Sequence, residues 1–488
     1  MTLLRYALPL AIPVAFVTAT FAESQAPVDA LWRPMVVALA VSVVVTALVR
    51  AVIRTAHLAQ LTAGALLAVL VGAQLLALAL VGVTTAQMVL SGRPGSAFSQ
   101  MRGSFVATLG LAALIFMVFA VAGAIASVLP TGDPGPDSTG PDVLPAPDGP
   151  SMYLVLMDGY PRADVLLDRF GFDNSAFLSD LESREFDVAE ASRSNYTATQ
   201  LTLATMFHMR YADEISGLVP GPSDPPDQYR LLTRRINDGV ALDVLKTAGY
   251  RIVTSVSAVS DASLFAADVV RDSGQITLFE EQLLRLSLGA RIVHSLAPDV
   301  LANQQRQRVH SNFQHLKETA ASESDDPTFM LAHVMLPHTP HLFAATGASV
   351  RLPECYPVRC QMWESRAELL GLDEEAFTSS MTEQIAYTNQ LVIASVDAII
   401  EADPDAVIIV FSDHGTRYRD DVPEEHFSNF FAARTPGFSG LFPEDVSPVN
   451  ILGRLFEAYL GRPYVAVEYQ AHLTEWPILN TRAFKSAQ

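Results

Sequence analysis

Met152-Tyr153-Leu154-Val155-Leu156-Met157-Asp158-Gly159 is the stretch on which the fold class turns. Six apolar residues without alternation describe a strand buried on both faces, as in a parallel sheet covered by helices on each side. An acid and a glycine follow at once, at the strand's carboxyl end, where open α/β sheets gather their functional groups. A plain turn is the better explanation of an isolated Asp-Gly, so Asp158 becomes a candidate ligand only through its company. Working outward, residues 250–256, Thr328–Val334, 406–411 and 427–433 also read as strands. Residues 163–186, 240–248, 276–316, 381–402 and 448–460 carry helical spacing, and 276–316 reads as a cap or an insertion. This alternation predicts an α/β fold with a mostly parallel sheet flanked by helices.

The stretch Ser194-Asn195-Tyr196-Thr197-Ala198-Thr199-Gln200-Leu201-Thr202-Leu203-Ala204-Thr205-Met206 is rich in hydroxyls and runs into a helical pattern. Thr199 falls in the first turn, where unpaired N–H groups and the helix dipole favour an alkoxide and a bound oxyanion. Ser, Thr and Asn are also ordinary caps, so the segment alone proves nothing. Downstream, Ser412-Asp413-His414-Gly415 ends a strand with one carboxylate and one imidazole, a pair that suits zinc or manganese. After the strand Thr328–Val334 comes Pro337-His338-Thr339-Pro340-His341. His333, within the strand, reads as a satisfied core residue, and His338 and His341 as facing a ligand.

The chain has 488 residues and a net charge of −20. Its first 130 residues hold six Arg, no Lys and two acids, so the remainder carries a net of about −24. So acidic a remainder argues against nucleic acid and fits a soluble domain outside a membrane. Residues 4–22, 34–49, 61–83 and 105–129 are apolar runs of about membrane-spanning length. Residues 55–92 contain no charge; if they cross twice, Arg5, Arg50, Arg54, Arg93 and Arg102 share one side. The positive-inside bias then favours five crossings over four, a cytoplasmic N-terminus and an external C-terminal domain. The expected organisation is a transmembrane domain over 1–130, a Pro/Gly/Asp linker over 131–150 and a catalytic domain over 151–488. Cys355 and Cys360 are the only cysteines. They read as a small disulfide loop in an oxidising compartment, with metal binding and two reduced thiols as the open alternatives.

In the order of their parts these residues resemble the alkaline phosphatase/sulfatase superfamily, in its membrane-anchored sulfatase-like branch. That branch includes lipoteichoic acid synthases and phosphoethanolamine transferases. The likeness spans 151–460 and rests on Asp158-Gly159, Asn195-Tyr196-x-x-Thr199, Pro337-His338-x-Pro340 and Ser412-Asp413-His414-Gly415. It implies a divalent metal (Zn, Mn or Ca) on Asp158, Thr199, Asp413 and His414, with Thr199 as nucleophile and a second, weaker metal site allowed. It further implies that His338 contacts the substrate's phosphate or sulfate, with His341 and Asn195 beside it. The Cys- or Ser-x-Pro-x-Arg signature of formylglycine sulfatases is missing around Thr199, and His426 is the sole downstream candidate for a second metal.

The expected protein is therefore a multi-pass enzyme of the cytoplasmic (inner) membrane with an extracytoplasmic catalytic domain. It would act on phosphate or sulfate esters of envelope lipids or glycans, with a lipid-linked donor and a glycan acceptor as partners. A sulfuryl-ester hydrolase and an inactive envelope scaffold are the competing readings.

Overall fold

A computed structural model describes residues 4–24, 26–53, 56–71, 149–218, 225–272, 275–297, 299–322, 324, 326–352, 372–417, 422–475 and 477–484. Cys355, Cys360, the apolar run 105–129 and most of the linker 131–150 lie outside the described residues. The chain forms two compact units, one of residues 1–132 with 276–298, the other of 133–275 with 299–488.

The first unit is built on helices α1 (Leu4–Ser24), α2 (Trp32–Val52) and α3 (Ala56–Leu70). Among the described residues, one helical segment, Val28–Val52, is long and apolar enough to cross a membrane, with a mean hydropathy of 2.5. Val36, Val37, Val43, Val44 and Leu48 stand exposed along it, as lipid-facing side chains do. The few hydroxyls close on their own helices: Thr18 donates to the Val14 carbonyl at 2.9 Å and Ser42 to that of Ala38 at 2.7 Å. Such back-bonding satisfies polar groups where no water competes.

The second unit is a seven-stranded sheet: β1 (Met152–Met157), β2 (Asp187–Val188), β3 (Arg251–Ser255), β4 (Val269–Arg271), β5 (Thr328–Val334), β6 (Val407–Phe411) and β7 (Phe431–Arg434). Its order is β2-β7-β6-β1-β5-β3-β4, parallel from β6 to β4, with β7 and β2 antiparallel at one edge. This is the mostly parallel, helix-flanked sheet that the apolar runs predict. Successive β1 side chains enter opposite cores: Leu154 and Leu156 pack with Phe329, Ile409 and Phe411, while Tyr153, Val155 and Met157 pack with Met330, Val334 and Val410. Each such fully buried side chain contributes about 1.5–3 kcal/mol of apolar transfer. Helix α4 (Thr199–His208) packs in the first of these cores, and Glu374–Ala402, a 29-residue helix, in the second.

Local chemistry displaces three expected boundaries. The helix expected over 163–186 breaks at Gly171, whose φ of 61° ends Ala163–Phe170, and resumes as Ser175–Glu182. The strand expected over 427–433 shortens to β7, because Pro423–His426 forms a 3-10 turn whose His426 carbonyl accepts the Gly415 N–H at 2.8 Å. Residues 276–316 are three helices. α5 (Leu278–Leu286) and α6 (Gly289–Leu296) group with the N-terminal helices, and Asp299–Ala320 packs in the sheet unit.

Gly239 lets the helix Val240–Ala248 start directly against α4, since a Cβ there would stand 2.6 Å from Phe207 Cβ and 3.0 Å from the Phe207 carbonyl. Gly239→Ala should therefore lower the heat-unfolding midpoint of the detergent-solubilised chain, at an overpacking cost of about 1–3 kcal/mol. An unchanged midpoint would show that α4 yields freely.

Candidate active site

Register decides what meets at the sheet's carboxyl edge. Met157 lies opposite Val334 and Leu156 opposite Phe411, so Asp158, the His338 loop and Asp413-His414 leave adjacent strands together. Asp158, Asp413 and His414 are buried, and one potential ligand atom from each lies within 4.8 Å of the others. His414 Nε2 is 3.3 Å from Asp413 Oδ2 and 3.9 Å from Asp158 Oδ1.

Each of these side chains is divided between scaffold and centre. Asp158 Oδ2 accepts from His333 Nε2 at 3.0 Å and from Thr199 Oγ1 at 3.4 Å. Asp413 Oδ1 accepts the Gly159 N–H at 3.0 Å, and His414 Nδ1–H donates to the Gly415 carbonyl at 2.7 Å. What remains is Asp158 Oδ1, Asp413 Oδ2 and His414 Nε2, all buried and without a hydrogen-bond partner. Three converging acceptors repel unless a cation lies between them. A divalent cation fits this set, and its oxygen and imidazole donors match zinc or manganese. His333, Gly159 and Gly415 then act as the outer partners that aim the ligands. Among the described residues no second group of three such side chains forms.

The turn carrying Asp413 and His414 has little freedom. Ser412 Oγ accepts the Tyr160 N–H at 2.9 Å and donates to the His414 carbonyl at 2.6 Å, while Asn429 holds the Ser412 carbonyl at 2.7 Å. A Cβ on Gly415 would fall 2.1 Å from the Glu425 carbonyl oxygen, so only glycine lets the chain pass.

The hydroxyls of the 194–206 segment separate cleanly. Ser194 donates to the Tyr196 carbonyl, Thr202 to the Asp413 carbonyl at 3.1 Å and Thr205 to the Leu201 carbonyl. Thr197 Oγ1 accepts the Thr474 N–H at 3.1 Å, from strand β8 (Ala471–Thr474), which pairs with β9 (Thr481–Phe484) outside the main sheet. Within this segment the Thr199 hydroxyl is the one aimed at a carboxylate of the centre. It opens α4, whose N-cap Ala198 provides no capping oxygen, so the first-turn N–H groups have no side-chain competitor.

Asn195 and His341, both expected beside the substrate, hydrogen-bond the scaffold, and His341 keeps a buried Nε2 without a hydrogen-bond partner. Asn195 donates to Tyr211 Oη and the Gln470 carbonyl and accepts the Val449 N–H, which commits its amide to the scaffold. His341 hands its Nδ1–H to Ser380 Oγ at 2.6 Å, because Ser380 uses its own proton on the Phe377 carbonyl. Burial, with His338 nearby, pushes the His341 imidazole down to about 3.

His338 does line the cavity beside the centre, with Gly159, His414, Phe377, Met381 and Arg417. Its Nδ1–H donates to the Thr339 carbonyl at 2.7 Å, leaving Nε2 as an acceptor 4.0 Å from Asp158 Oδ1. Burial lowers its pKa most, with Arg417 and His414 adding, against the opposing pull of Asp158. For Asp158 the balance is reversed: burial would raise its carboxyl, but His338, His333 and His414 hold it below the usual carboxylate range. Arg417, which donates to the Thr197 carbonyl at 3.2 Å, was not anticipated from sequence. Its position three residues after His414 was the available signal.

No protein-family model and no curated protein matches the chain. Among solved structures it is similar to the C-terminal periplasmic domain of EcEptC from Escherichia coli, at 13% identity and a TM-score of 0.42, covering 67% of this chain and 90% of that one. It is likewise similar to the integral membrane protein lipooligosaccharide phosphoethanolamine transferase A from Neisseria meningitidis, at 13% identity and a TM-score of 0.40, covering 79% and 68%. A third is a protein in the alkaline phosphatase superfamily from Vibrio parahaemolyticus, at 12% identity and a TM-score of 0.40, covering 70% and 78%.

The buried His341 makes stability pH-dependent with a definite sign. An unfolded imidazole takes up its proton near 6.5, whereas the folded one waits until about 3. In that window the unfolded chain binds the extra proton, so stability falls as pH falls, by up to about 1.4 kcal/mol per pH unit. His310, His315 and His472, also lowered by burial, act in the same direction. The unfolding midpoint should drop between pH 7 and pH 5, and His341→Gln should make the drop shallower. Equal slopes in the two proteins would contradict this reading of His341.

Proposed function

We propose that this chain is a multi-pass, metal-dependent enzyme of the cytoplasmic membrane that acts outside the cytoplasm on phosphate esters of envelope lipids or glycans through Thr199. The observation that supports it most is the sorting of hydroxyls: Ser194, Thr197, Thr202 and Thr205 are tied to backbone, and Thr199 Oγ1 alone among them reaches Asp158. An inactive scaffold would have no need of three orphaned acceptors in a buried centre.

A threonine alcohol is too weakly acidic to ionise unaided near neutral pH. A divalent cation held by Asp158, Asp413, His414 and Thr199 would supply the charge that stabilises its alkoxide. The protein's own groups do the rest. Thr199 Oγ, hydrogen-bonded to Asp158 Oδ2, attacks phosphorus as the bond from phosphorus to the leaving oxygen breaks, and the Thr199 proton leaves on that oxygen, which departs as an alcohol. The first-turn N–H groups of α4 and Arg417 face the oxygens that carry the charge. An acceptor alcohol or water then attacks the threonyl phosphoester, and the Thr199–phosphorus bond breaks. Neutral His338, with Nε2 free of its own proton, takes up the proton of that acceptor and returns it to Thr199 Oγ, which restores the alcohol. This moves His338 from the anion contact expected of it to a general base, and gives the anion contact to Arg417.

Phosphoryl transfer is favoured over sulfuryl hydrolysis because the 194–206 segment has no cysteine to convert to an aldehyde. A lipid-linked donor and a glycan acceptor fit an acidic unit following apolar spans.

Peptide mapping after trapping with a phosphodiester substrate should find the adduct on Thr199. Thr199→Ala should lower turnover by roughly three orders of magnitude or more. Thr197→Ala should keep most turnover and lose only about 1 kcal/mol of stability with the Thr474 bond. An active Thr199→Ala enzyme, or an adduct on Thr197, defeats the assignment.

A further inference from the structure

The segment 276–298 interrupts the sequence of the sheet unit but belongs to the helical one. Its start is firmly made. Thr277 Oγ1 accepts the Glu280 N–H, and Glu280 returns the bond to the Thr277 N–H at 2.8 Å, a complete capping box. Phe279 and Leu283 of α5 are buried with Val17 and Phe21 of α1 and Ala38 of α2, and the Phe21 and Phe279 rings meet edge to face at 5.6 Å. Glu280 pairs with Arg33 at 3.1 Å, and the Leu288 N–H donates to the Leu70 carbonyl at 2.9 Å.

These anchors share one level of the helical unit. They use the last turns of α1, the first turns of α2 and the last residue of α3. Arg33 is also the arginine among the first 130 residues that the positive-inside assignment leaves on the outer side. Trp32, 63% exposed at the start of α2, is of the type found where a span meets the headgroups.

The other side of the hairpin is apolar and open. Leu286 is 54% exposed, Ile292 45% and Leu296 81%, with Ile292 and Leu296 one helical turn apart on α6. Arg291 and Ser295 lie beside them, also exposed. A short helix with bulky apolar residues on one face and a cation next to them has the make-up of an interfacial helix. In the same unit α2 also exposes Val36, Val43 and Leu48.

We infer that α5 and α6 form a membrane-interface foot, with Leu286, Ile292 and Leu296 seated in the outer-leaflet boundary between headgroups and acyl chains. The occupant is phospholipid. The foot lies within the catalytic sequence, so it ties that sequence to the bilayer surface independently of the linker at 131–150. This inference does not rest on the reading of the Thr199 site.

The test uses the full-length chain in vesicles of phosphatidylethanolamine and phosphatidylglycerol, with benzoylphenylalanine placed at Ile292, Leu296 or the exposed Leu167 of the sheet unit. Irradiation should give phospholipid adducts at Ile292 and Leu296 and none above background at Leu167. Cross-links at Ile292 and Leu296 to residues 72–148 or to a second copy, in place of lipid, would overturn it. So would adducts equal to those at Leu167. Should a variant fail to fold, the unmodified chain with a diazirine-bearing phospholipid serves the same end: labelling of the peptide spanning 286–297 is expected, and its absence overturns the inference.

Discussion

Two carboxylates and an imidazole facing one another in a buried pocket form the constraint on which the sheet unit is arranged. Removing a single charge from water costs several kcal/mol even after relaxation. The chain meets that cost from both sides. One oxygen of each carboxylate is held by the scaffold, through His333 and Thr199 on Asp158 and the Gly159 N–H on Asp413. The remaining acceptors are turned toward a common centre. Parallel register supplies the coarse placement, because adjacent strands β1 and β6 end level and release Asp158 and Asp413 together.

That dependence explains why some elements tolerate no alternative. Gly415 passes where a Cβ would strike the Glu425 carbonyl, and Gly239 lets the helix Val240–Ala248 press against the helix that begins with Thr199. Thr202, on α4, holds the Asp413 carbonyl at 3.1 Å, so the helix that begins with Thr199 and the turn that carries Asp413 and His414 are locked as one piece.

The fold was legible where one physical signal dominates. β1 and β5 match their predicted runs residue for residue, and β6 differs by one, because strands buried on both faces read as nearly continuous apolar runs. Where two signals compete, the sequence misleads. Residues 163–186 keep helical spacing across Gly171, and residues 427–430 look strand-like although the regular strand begins only at Phe431, with Asn429 making an isolated bridge to Pro161. Side-chain commitment was less visible still. Asn195 and Thr197 sit in a motif rich in hydrogen-bonding groups, and only the distant Val449, Gln470 and Thr474 backbone reveals that both are braces. His333 is the core residue that its place in the strand predicts, and it also positions Asp158. Such partners lie hundreds of residues away, beyond any local pattern.

The central claim is that Asp158, Asp413 and His414 hold one divalent cation next to the Thr199 hydroxyl. Anomalous diffraction from crystals of the zinc- or manganese-loaded protein locates that ion directly. The account predicts one strong peak bonded to Asp158 Oδ1, Asp413 Oδ2 and His414 Nε2, with Thr199 Oγ1 completing the set. A fully loaded protein whose metal lies elsewhere, with these three atoms unligated, would contradict it.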